Sequence, residues 1–237
     1  MLINPNDLAA DPDRLEEIER ASLRLITQAL VDFRATAQEI YLQEGDLVAD
    51  IGEDITREAL DRLGMSKIDQ RLFGKIDYKR ARYVFHPAYA VKQALFVDSK
   101  AEKMGGRATA TLQTSQLSMT IKQVRAGQQV EVQGKLPAVL DIRGDLYLTT
   151  TIFVKYDYEE AGQAHALRSI SVAGLPNGLL QARYNPTFID TIWLAGRNAP
   201  TLGEEFRVRL SLPRLKRKAA WRVQNIPMPP AEFHWQD

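Results

Sequence analysis

Two short segments, KIDYKR at residues 75–80 and LFVDSK at residues 95–100, constrain what this chain can fold into more than any other feature. Each has the composition of a β-strand and carries one aspartate, so together they predict a β-hairpin. Side chains alternate across a strand, which puts Asp98 and Lys100 on one face and turns Ser99 to the other. The second segment begins with an apolar run, which predicts a buried central strand that holds the acid and the base on one wall of a sheet.

An acid and a lysine on one strand, with a second acid on its neighbour, match the needs of metal-dependent phosphodiester hydrolysis. That reaction uses an oxygen-ligated cation such as Mg²⁺, which carboxylates hold in proteins. We expect Asp77 and Asp98 to be those carboxylates, and the carbonyl oxygen of Ser99 to be a third ligand. The metal lowers the pKa of a bound water. Lys100 would orient that water and offset negative charge on the phosphate.

A further acid is expected on a helix beside these strands. Glu53 lies at a predicted helix start, where the helix dipole favours a carboxylate, and its neighbour Asp54 is the alternative. The spacing of the aspartates and the lysine is degenerate when taken alone. A solvated hairpin with an ion pair between Asp98 and Lys100, worth under about 1 kcal/mol, would explain it equally well.

A series of short sequence blocks along the chain is more informative than this spacing. The blocks are residues 53–56, 76–80, 97–101, 115–119, 151–154, 169–172, 183–186 and 203–216. In these blocks and their order the chain resembles the SfiI family of type II restriction endonucleases. The resemblance implies a PD-(D/E)xK nuclease fold, Mg²⁺ dependence and cleavage of an interrupted palindrome rich in G and C. It also implies that Asp77 is the first catalytic acid, Asp98 the second and Lys100 the catalytic lysine. The chain departs from the pattern at Ile76, where the class name has proline, and at Ser99, where related sequences carry alanine.

Composition sets wide bounds on the partners of the chain. Its 237 residues include 31 Lys and Arg against 30 Asp and Glu, and the net charge of +1 is low for a protein that binds DNA. Affinity for a polyanion would therefore come from local basic patches. There is no cysteine, and the three histidines are too scattered to predict a zinc site. We expect a cytoplasmic protein, since no signal peptide or long apolar stretch is apparent.

The pattern along the chain predicts an α/β (α+β) fold, a restriction-endonuclease-like mixed β-sheet flanked by helices, with a β-rich C-terminal half. We expect one domain over residues 1–237, with a helical part at about 11–64, a catalytic core at about 65–125 and a β-rich DNA-recognition part at about 145–225. The predicted helices cover residues 13–43, 53–63 and, with a weaker pattern, 108–121. The predicted strands cover residues 146–158, 166–173 and 206–212.

The strand at residues 206–212 alternates cleanly and predicts a DNA-reading surface. Arg207 and Arg209 project from its polar face with their Cα atoms about 6.6 Å apart, two strand rises. Arginine bound to the O6 and N7 edge of guanine is the commonest specific contact in the major groove. We therefore predict base readout by this pair, with Arg107, Lys216 and Arg183 as further DNA contacts. A solvated strand face that deters edge pairing is the alternative.

The sequence thus favours a Mg²⁺-dependent, site-specific endonuclease for double-stranded DNA. A palindromic target requires two active sites, so we expect a homodimer, and the resemblance adds a homotetramer as the alternative. Two other functions stay open. One is a structure-specific repair or recombination nuclease, and the other is a DNA-binding protein of the same fold that does not cleave.

Overall fold

The computed structural model of the protein describes residues 2–43, 48–64, 82–86, 88–106, 108–162, 164–195 and 207–237. The α-helices of this part are α1 (Pro12–Gln43), α2 (Val48–Asp61), α3 (Gln181–Tyr184) and α4 (Leu212–Lys218). The strands are β1 (Arg82–His86), β2 (Val91–Lys103), β3 (Thr109–Gln113), β4 (Thr120–Arg125), β5 (Gln128–Gln133), β6 (Val139–Ile142), β7 (Asp145–Ala161), β8 (Ala164–Leu175), β9 (Trp193–Leu194), β10 (Arg207–Ser211) and β11 (Val223–Pro227). Among the described helices, none is both long and apolar enough to cross a membrane.

A six-stranded mixed sheet forms the centre of the fold. Its strands follow the order β1, β2, β7, β8 and β11, and β6 pairs with the start of β7. β2 and β7 run parallel, whereas the other neighbours in this sheet are antiparallel. β2 is therefore an interior strand, with β1 along one edge and β7 along the other.

The two faces of the central sheet are buried against different layers. On one face, α1 and α2 cover a cluster that includes Ile152, Val154 and Tyr156 of β7. On the other face, Phe153 of β7 packs in a second cluster with residues of a small sheet whose order is β3, β10 and β9. The period of two along β7 is what divides its side chains between the two clusters. The result is helices, a central sheet and a small sheet in three layers.

Several predicted elements are confirmed. The long helix predicted at residues 13–43 is α1, and its apolar stripe lies in the core. The strands predicted at residues 146–158, 166–173 and 206–212 correspond to β7, β8 and β10. The first strand of the predicted hairpin, residues 75–80, lies outside the described residues, and the observed hairpin joins β1 to β2. The mixed sheet flanked by helices is also confirmed.

Two local predictions were wrong. Residues 108–121 are not a helix, because they contain β3, one 3-10 turn and the start of β4. Ala110 and Leu112 alternate into the core between the β-branched residues Thr109 and Thr111, and this period of two is that of a strand. Glu53 does not start a helix, because α2 begins at Val48.

A buried ion pair fastens α1 to the C-terminal part of the chain. Arg222 is fully buried, and its Nη2 lies 2.5 Å from Oε2 of Glu19 on α1. The other Glu19 oxygen accepts a hydrogen bond of 2.8 Å from the backbone N–H of Asn177. The guanidinium also lies over the rings of Tyr184 and Trp221. Removal of either charged partner would leave the other buried without its counter-charge, which strongly destabilises the folded state.

We predict that Arg222→Leu lowers the free energy of unfolding by about 3–5 kcal/mol, because it leaves the Glu19 carboxylate buried without its cation. Urea unfolding followed by circular dichroism measures this quantity. Arg168→Leu is the matched control, since Arg168 pairs with Glu159 where both side chains are about half exposed, and its loss should cost under about 1 kcal/mol. Equal costs for the two variants would contradict the prediction.

Candidate active site

Strand β2 carries the two charged residues that the sequence predicts for catalysis. Asp98 is 3% exposed and Lys100 is half-buried. Ser99 between them points to the helical side, where its hydroxyl donates to Thr56 of α2. Lys100 points to the opposite side, where its ammonium donates to the backbone carbonyl of Thr111 on β3. The predicted division of these side chains between the two faces is therefore confirmed.

The surroundings of Lys100 weaken its hold on a proton. Burial lowers the pKa of this lysine, and the positive charge of Arg207 on β10 lowers it further. Glu102 and Glu53 act in the opposite direction but do not cancel the effect. Its Nζ also lies 6.0 Å from the ring centroid of Phe153, the residue paired with Asp98 on β7. A buried lysine with a lowered pKa on a sheet wall is a typical feature of functional sites.

Of the two acids that the sequence offers on α2, Glu53 is the better candidate for the site. Its charge acts on the pKa of Lys100, and it makes no ion pair with another described residue. Asp54 instead forms an ion pair with Arg57 one turn later on the exposed surface. Glu53 is exposed and lies in the middle of α2, so the helix dipole does not explain its placement. Packing of α2 against the sheet brings it there.

A second charged cluster on the same face of the sheet was missed in the sequence. Lys155 of β7 is aligned with Lys100 in the parallel register. Its Nζ lies 2.8 Å from Asp157 and 3.2 Å from Glu102. Burial lowers the pKa of Lys155, but the two carboxylates outweigh it, and the net shift is upward. Glu102 is therefore occupied by Lys155, and the period-two spacing from Lys100 to Glu102 was the only sequence signal for it.

The donor groups that the sequence predicts for the metal are of a type that suits a hard cation. The Asp98 carboxylate, the Ser99 carbonyl and the Glu53 carboxylate offer oxygen atoms only, which is the ligand type that Mg²⁺ prefers. Within the described ranges, no three Asp, Glu, His or Cys side chains converge on a point where they could hold a metal ion alone. Asp77, the predicted first acid, lies outside the described residues, and so does Arg107.

Strand β10 lies on the same side of the central sheet as Lys100. It pairs with β3 so that Arg209 is opposite Thr111, the residue whose carbonyl receives the lysine, and Arg207 is opposite Gln113. Both arginines are partly exposed, whereas Val208 and Leu210 between and beside them are buried. The predicted alternation is confirmed. The arginine strand therefore lies close to Lys100, and its two arginines are on the face of the small sheet opposite to the buried Val208 and Leu210.

The remaining predicted cations differ in their surroundings. Lys216 is exposed in the last turn of α4 and makes no ion pair with a described residue. Arg183 is bound to carboxylates of α1, with its Nη2 2.7 Å from Asp13 and its Nη1 3.1 Å from Glu16. Its charge is therefore already offset within the protein. Lys218 is similarly engaged, since its Nζ lies 2.6 Å from Asp190.

The chain is similar to known proteins in both sequence and fold. A family model described as type II restriction enzyme SfiI matches residues 15–226. The type II restriction enzyme SfiI of Streptomyces fimbriatus is 36% identical over 230 residues, which span 90% of this chain and 84% of that protein. The crystal structure of tetrameric restriction endonuclease SfiI bound to cognate DNA matches with a TM-score of 0.81 at 33% identity, over 95% of this chain and 90% of that one. The restriction endonuclease BglI bound to its DNA recognition sequence matches with a TM-score of 0.75 at 18% identity, over 95% and 94%.

The fold is therefore that of the restriction endonucleases. The family match and the 36% identity over most of the chain go further, and the chain belongs to the SfiI family of type II restriction enzymes, which are site-specific DNA endonucleases. The resemblance read from the sequence blocks is confirmed. Membership of this enzyme family also argues against the alternative of a DNA-binding protein that does not cleave.

We predict that Glu53→Gln slows cleavage by about 10–100-fold, because the amide lacks the charge that acts on Lys100. Asp54→Asn is the matched control, and we expect it to stay within about twofold of the unmodified enzyme, as exposed substitutions do. Single-turnover cleavage rates on one DNA substrate compare the two. The choice of Glu53 would be wrong if Asp54→Asn were the slower variant.

Proposed function

We propose that this endonuclease cleaves double-stranded DNA with Mg²⁺ at an interrupted palindrome rich in G and C. The observation that carries the proposal is the closeness of the arginine strand to Lys100: the lysine donates to the Thr111 carbonyl on β3, Thr111 is paired with Arg209 on β10, and the charge of Arg207 acts on the lysine. DNA held by the arginine strand would thus present a phosphate to the catalytic strand. The G/C-rich character follows from family membership and from the preference of arginine for guanine.

In the proposed site, Asp77, Asp98 and the Ser99 carbonyl hold the cation, and Glu53 completes the set of acids. When bound, Mg²⁺ supplies Lewis acidity to the phosphoryl oxygen and lowers the pKa of a coordinated water. Lys100 orients the attacking water by hydrogen bonding and stabilises negative charge that develops on the phosphate. Its lowered pKa makes proton exchange with that water easier than it is for an ordinary lysine.

Arg207 and Arg209 are proposed to read guanines in the major groove, and Lys216 to grip the DNA backbone. Two guanidinium groups about 6.6 Å apart at their Cα atoms can reach neighbouring base pairs, which stack about 3.4 Å apart. Exposure and the lack of an ion pair with any described residue leave Lys216 available to a phosphate. Arg183 is a weaker candidate than the sequence implied, because two carboxylates already bind it.

We propose a symmetric assembly, either a homodimer or a homotetramer. Cleavage of both strands of a palindrome needs two active sites related by the symmetry of the DNA. The SfiI structure to which the chain is similar is described as tetrameric and bound to cognate DNA.

The cleavage rate of a plasmid with two recognition sites, compared with that of a plasmid with one site, tests the choice between dimer and tetramer. Faster cleavage of the two-site plasmid supports a tetramer that engages both, and equal rates support a dimer.

A digest of long, mixed-sequence DNA tests the proposed function. With Mg²⁺ we expect discrete fragments whose ends share one G/C-rich interrupted palindrome. Cuts confined to nicks or junctions would instead identify a structure-specific repair nuclease.

Lys100→Ala should give no detectable cleavage while it binds the mapped site within a few fold of the unmodified enzyme, because the lysine acts mainly on the transition state. Substantial cleavage by this variant would remove Lys100 from the mechanism.

Binding measured on cognate and scrambled duplexes at several salt concentrations separates readout from positioning. Arg207→Ala and Arg209→Ala should each cost about 1–3 kcal/mol on the cognate site and little on the scrambled one. Lys216→Ala should weaken both duplexes about equally and reduce the salt slope by about one. Arg183→Ala serves as a control with little effect on either duplex. Equal losses on both duplexes for the two strand arginines would mean that they bind phosphate.

A further inference from the structure

A chain of buried hydroxyl groups lies directly behind the catalytic strand, on its helical side. Thr56 of α2 is at its centre and is 4% exposed. Its Oγ1 lies 2.7 Å from the hydroxyl of Ser99 on β2, 2.7 Å from the phenol oxygen of Tyr156 on β7 and 3.0 Å from the carbonyl oxygen of Gly52 one turn earlier. One side chain thus ties α2 to the two parallel strands at the centre of the sheet.

The direction of each hydrogen bond in this chain follows from the chemistry of the groups. A threonine hydroxyl has one proton and two acceptor sites. The Gly52 carbonyl can only accept, so it takes the Thr56 proton, and both Ser99 and Tyr156 donate to Thr56. Burial raises the pKa of Tyr156, so its phenol keeps the proton that it donates. All three sites of the Thr56 hydroxyl are therefore used, and no other arrangement satisfies them.

Close packing adds a steric constraint to these bonds. A Cβ placed on Gly52 would lie 3.0 Å from the Tyr156 ring, so a side chain there would push α2 away from the sheet. Gly52 and Thr56 are one turn apart and share the face that contacts the strands. Glu53 follows Gly52 directly in α2, is exposed, and its charge acts on Lys100. The distance of α2 from the strands therefore sets the distance of Glu53 from the catalytic lysine.

We propose that Thr56 is a positioning residue for cleavage. Its hydroxyl holds α2 against β2 and β7 so that Glu53 stays beside Lys100 and the metal-binding carboxylates. The inference rests on the proposed role of Glu53 and goes beyond it, because it assigns a function to a buried side chain that touches neither DNA nor metal.

The test compares Thr56→Val, which keeps the shape and loses the hydroxyl, with Thr56→Ser, which keeps the hydroxyl. Loss of a group that orients a ligand or reacting side chain lowers metal affinity or activity by about 10–100-fold. We expect a loss of this size in the single-turnover cleavage rate for Thr56→Val, with cognate binding in the absence of Mg²⁺ within about threefold. Thr56→Ser should restore most of the rate. Thr27→Val on α1 is the control for a buried threonine whose hydroxyl has no hydrogen-bond partner, and its rate should not change.

A second readout does not depend on turnover. Mn²⁺ binding to the enzyme, followed by the electron paramagnetic resonance signal of the free ion, should weaken by a similar factor in Thr56→Val and recover in Thr56→Ser. Loss of packing alone would lower the melting temperature without this change in metal affinity. Should Thr56→Val fail to fold, Tyr156→Phe removes the hydrogen bond that the phenol donates to Thr56 and should weaken Mn²⁺ binding in the same direction. Unchanged Mn²⁺ affinity in the folded variants overturns the inference.

A double-mutant cycle with Glu53→Gln separates this inference from the proposed function. If Thr56 acts through Glu53, then Thr56→Val adds no further loss once Glu53 is replaced. Independent, multiplying losses overturn the inference and leave the Glu53 assignment intact. Normal cleavage by Glu53→Gln alone would instead overturn the Glu53 assignment, and with it the role of Thr56. Normal cleavage by Thr56→Val beside a slow Glu53→Gln would overturn the inference alone.

Discussion

The parallel pairing of β2 with β7 is the interaction on which the rest of the structure depends. It runs from Gln93 to Lys103 on β2 and fixes which residues of that strand face the helices and which face the small sheet. A slip of one residue would turn Asp98 and Lys100 toward α2 and place Ser99 in the proposed active site. The helical face of the sheet is covered by an apolar cluster, so such a slip would also bury the charges of Asp98 and Lys100 among apolar side chains. Packing of the core therefore fixes which side chains of β2 line the proposed active site.

The two aligned lysines show how one sheet face holds charges for different purposes. Lys155 has two carboxylates within 3.2 Å, and its pKa is raised despite burial. Lys100, beside it in the register, has a backbone carbonyl as its acceptor and a nearby arginine, and its pKa is lowered. The first arrangement satisfies a buried charge within the protein. The second leaves a cation that has no ion pair with a described carboxylate at the place where a phosphate is proposed to bind, which is the pattern expected of a site that trades stability for function.

Strand periodicity made the catalytic strand, the arginine strand and the long helix predictable from the sequence. Each of these elements has a local sequence pattern in which the apolar residues fall on one face, and that pattern alone predicts which face is buried. The strand at Thr109–Gln113 was misread as helical because its small and polar residues give a weak signal, and pairing with β10 decides its structure. The cluster of Lys155, Glu102 and Asp157 and the hydroxyl chain of Thr56 join residues far apart in sequence. No local sequence pattern predicts these contacts, because they form only when the elements pack together.

The low net charge of +1 is consistent with DNA cleavage once the basic residues are sorted by their surroundings. Arg222 is bound by Glu19 of α1 in the core, and Arg183 and Lys218 are paired with Asp13 and Asp190 at the surface, so part of the positive charge is offset within the protein. Arg209 on β10 and the exposed Lys216 at the end of α4 make no ion pair with a described residue. A cation that binds the DNA backbone contributes affinity but carries no sequence information, so discrimination among sequences must arise from contacts to bases. An enzyme that must leave unrelated DNA intact therefore depends on such short-range contacts more than on its net charge.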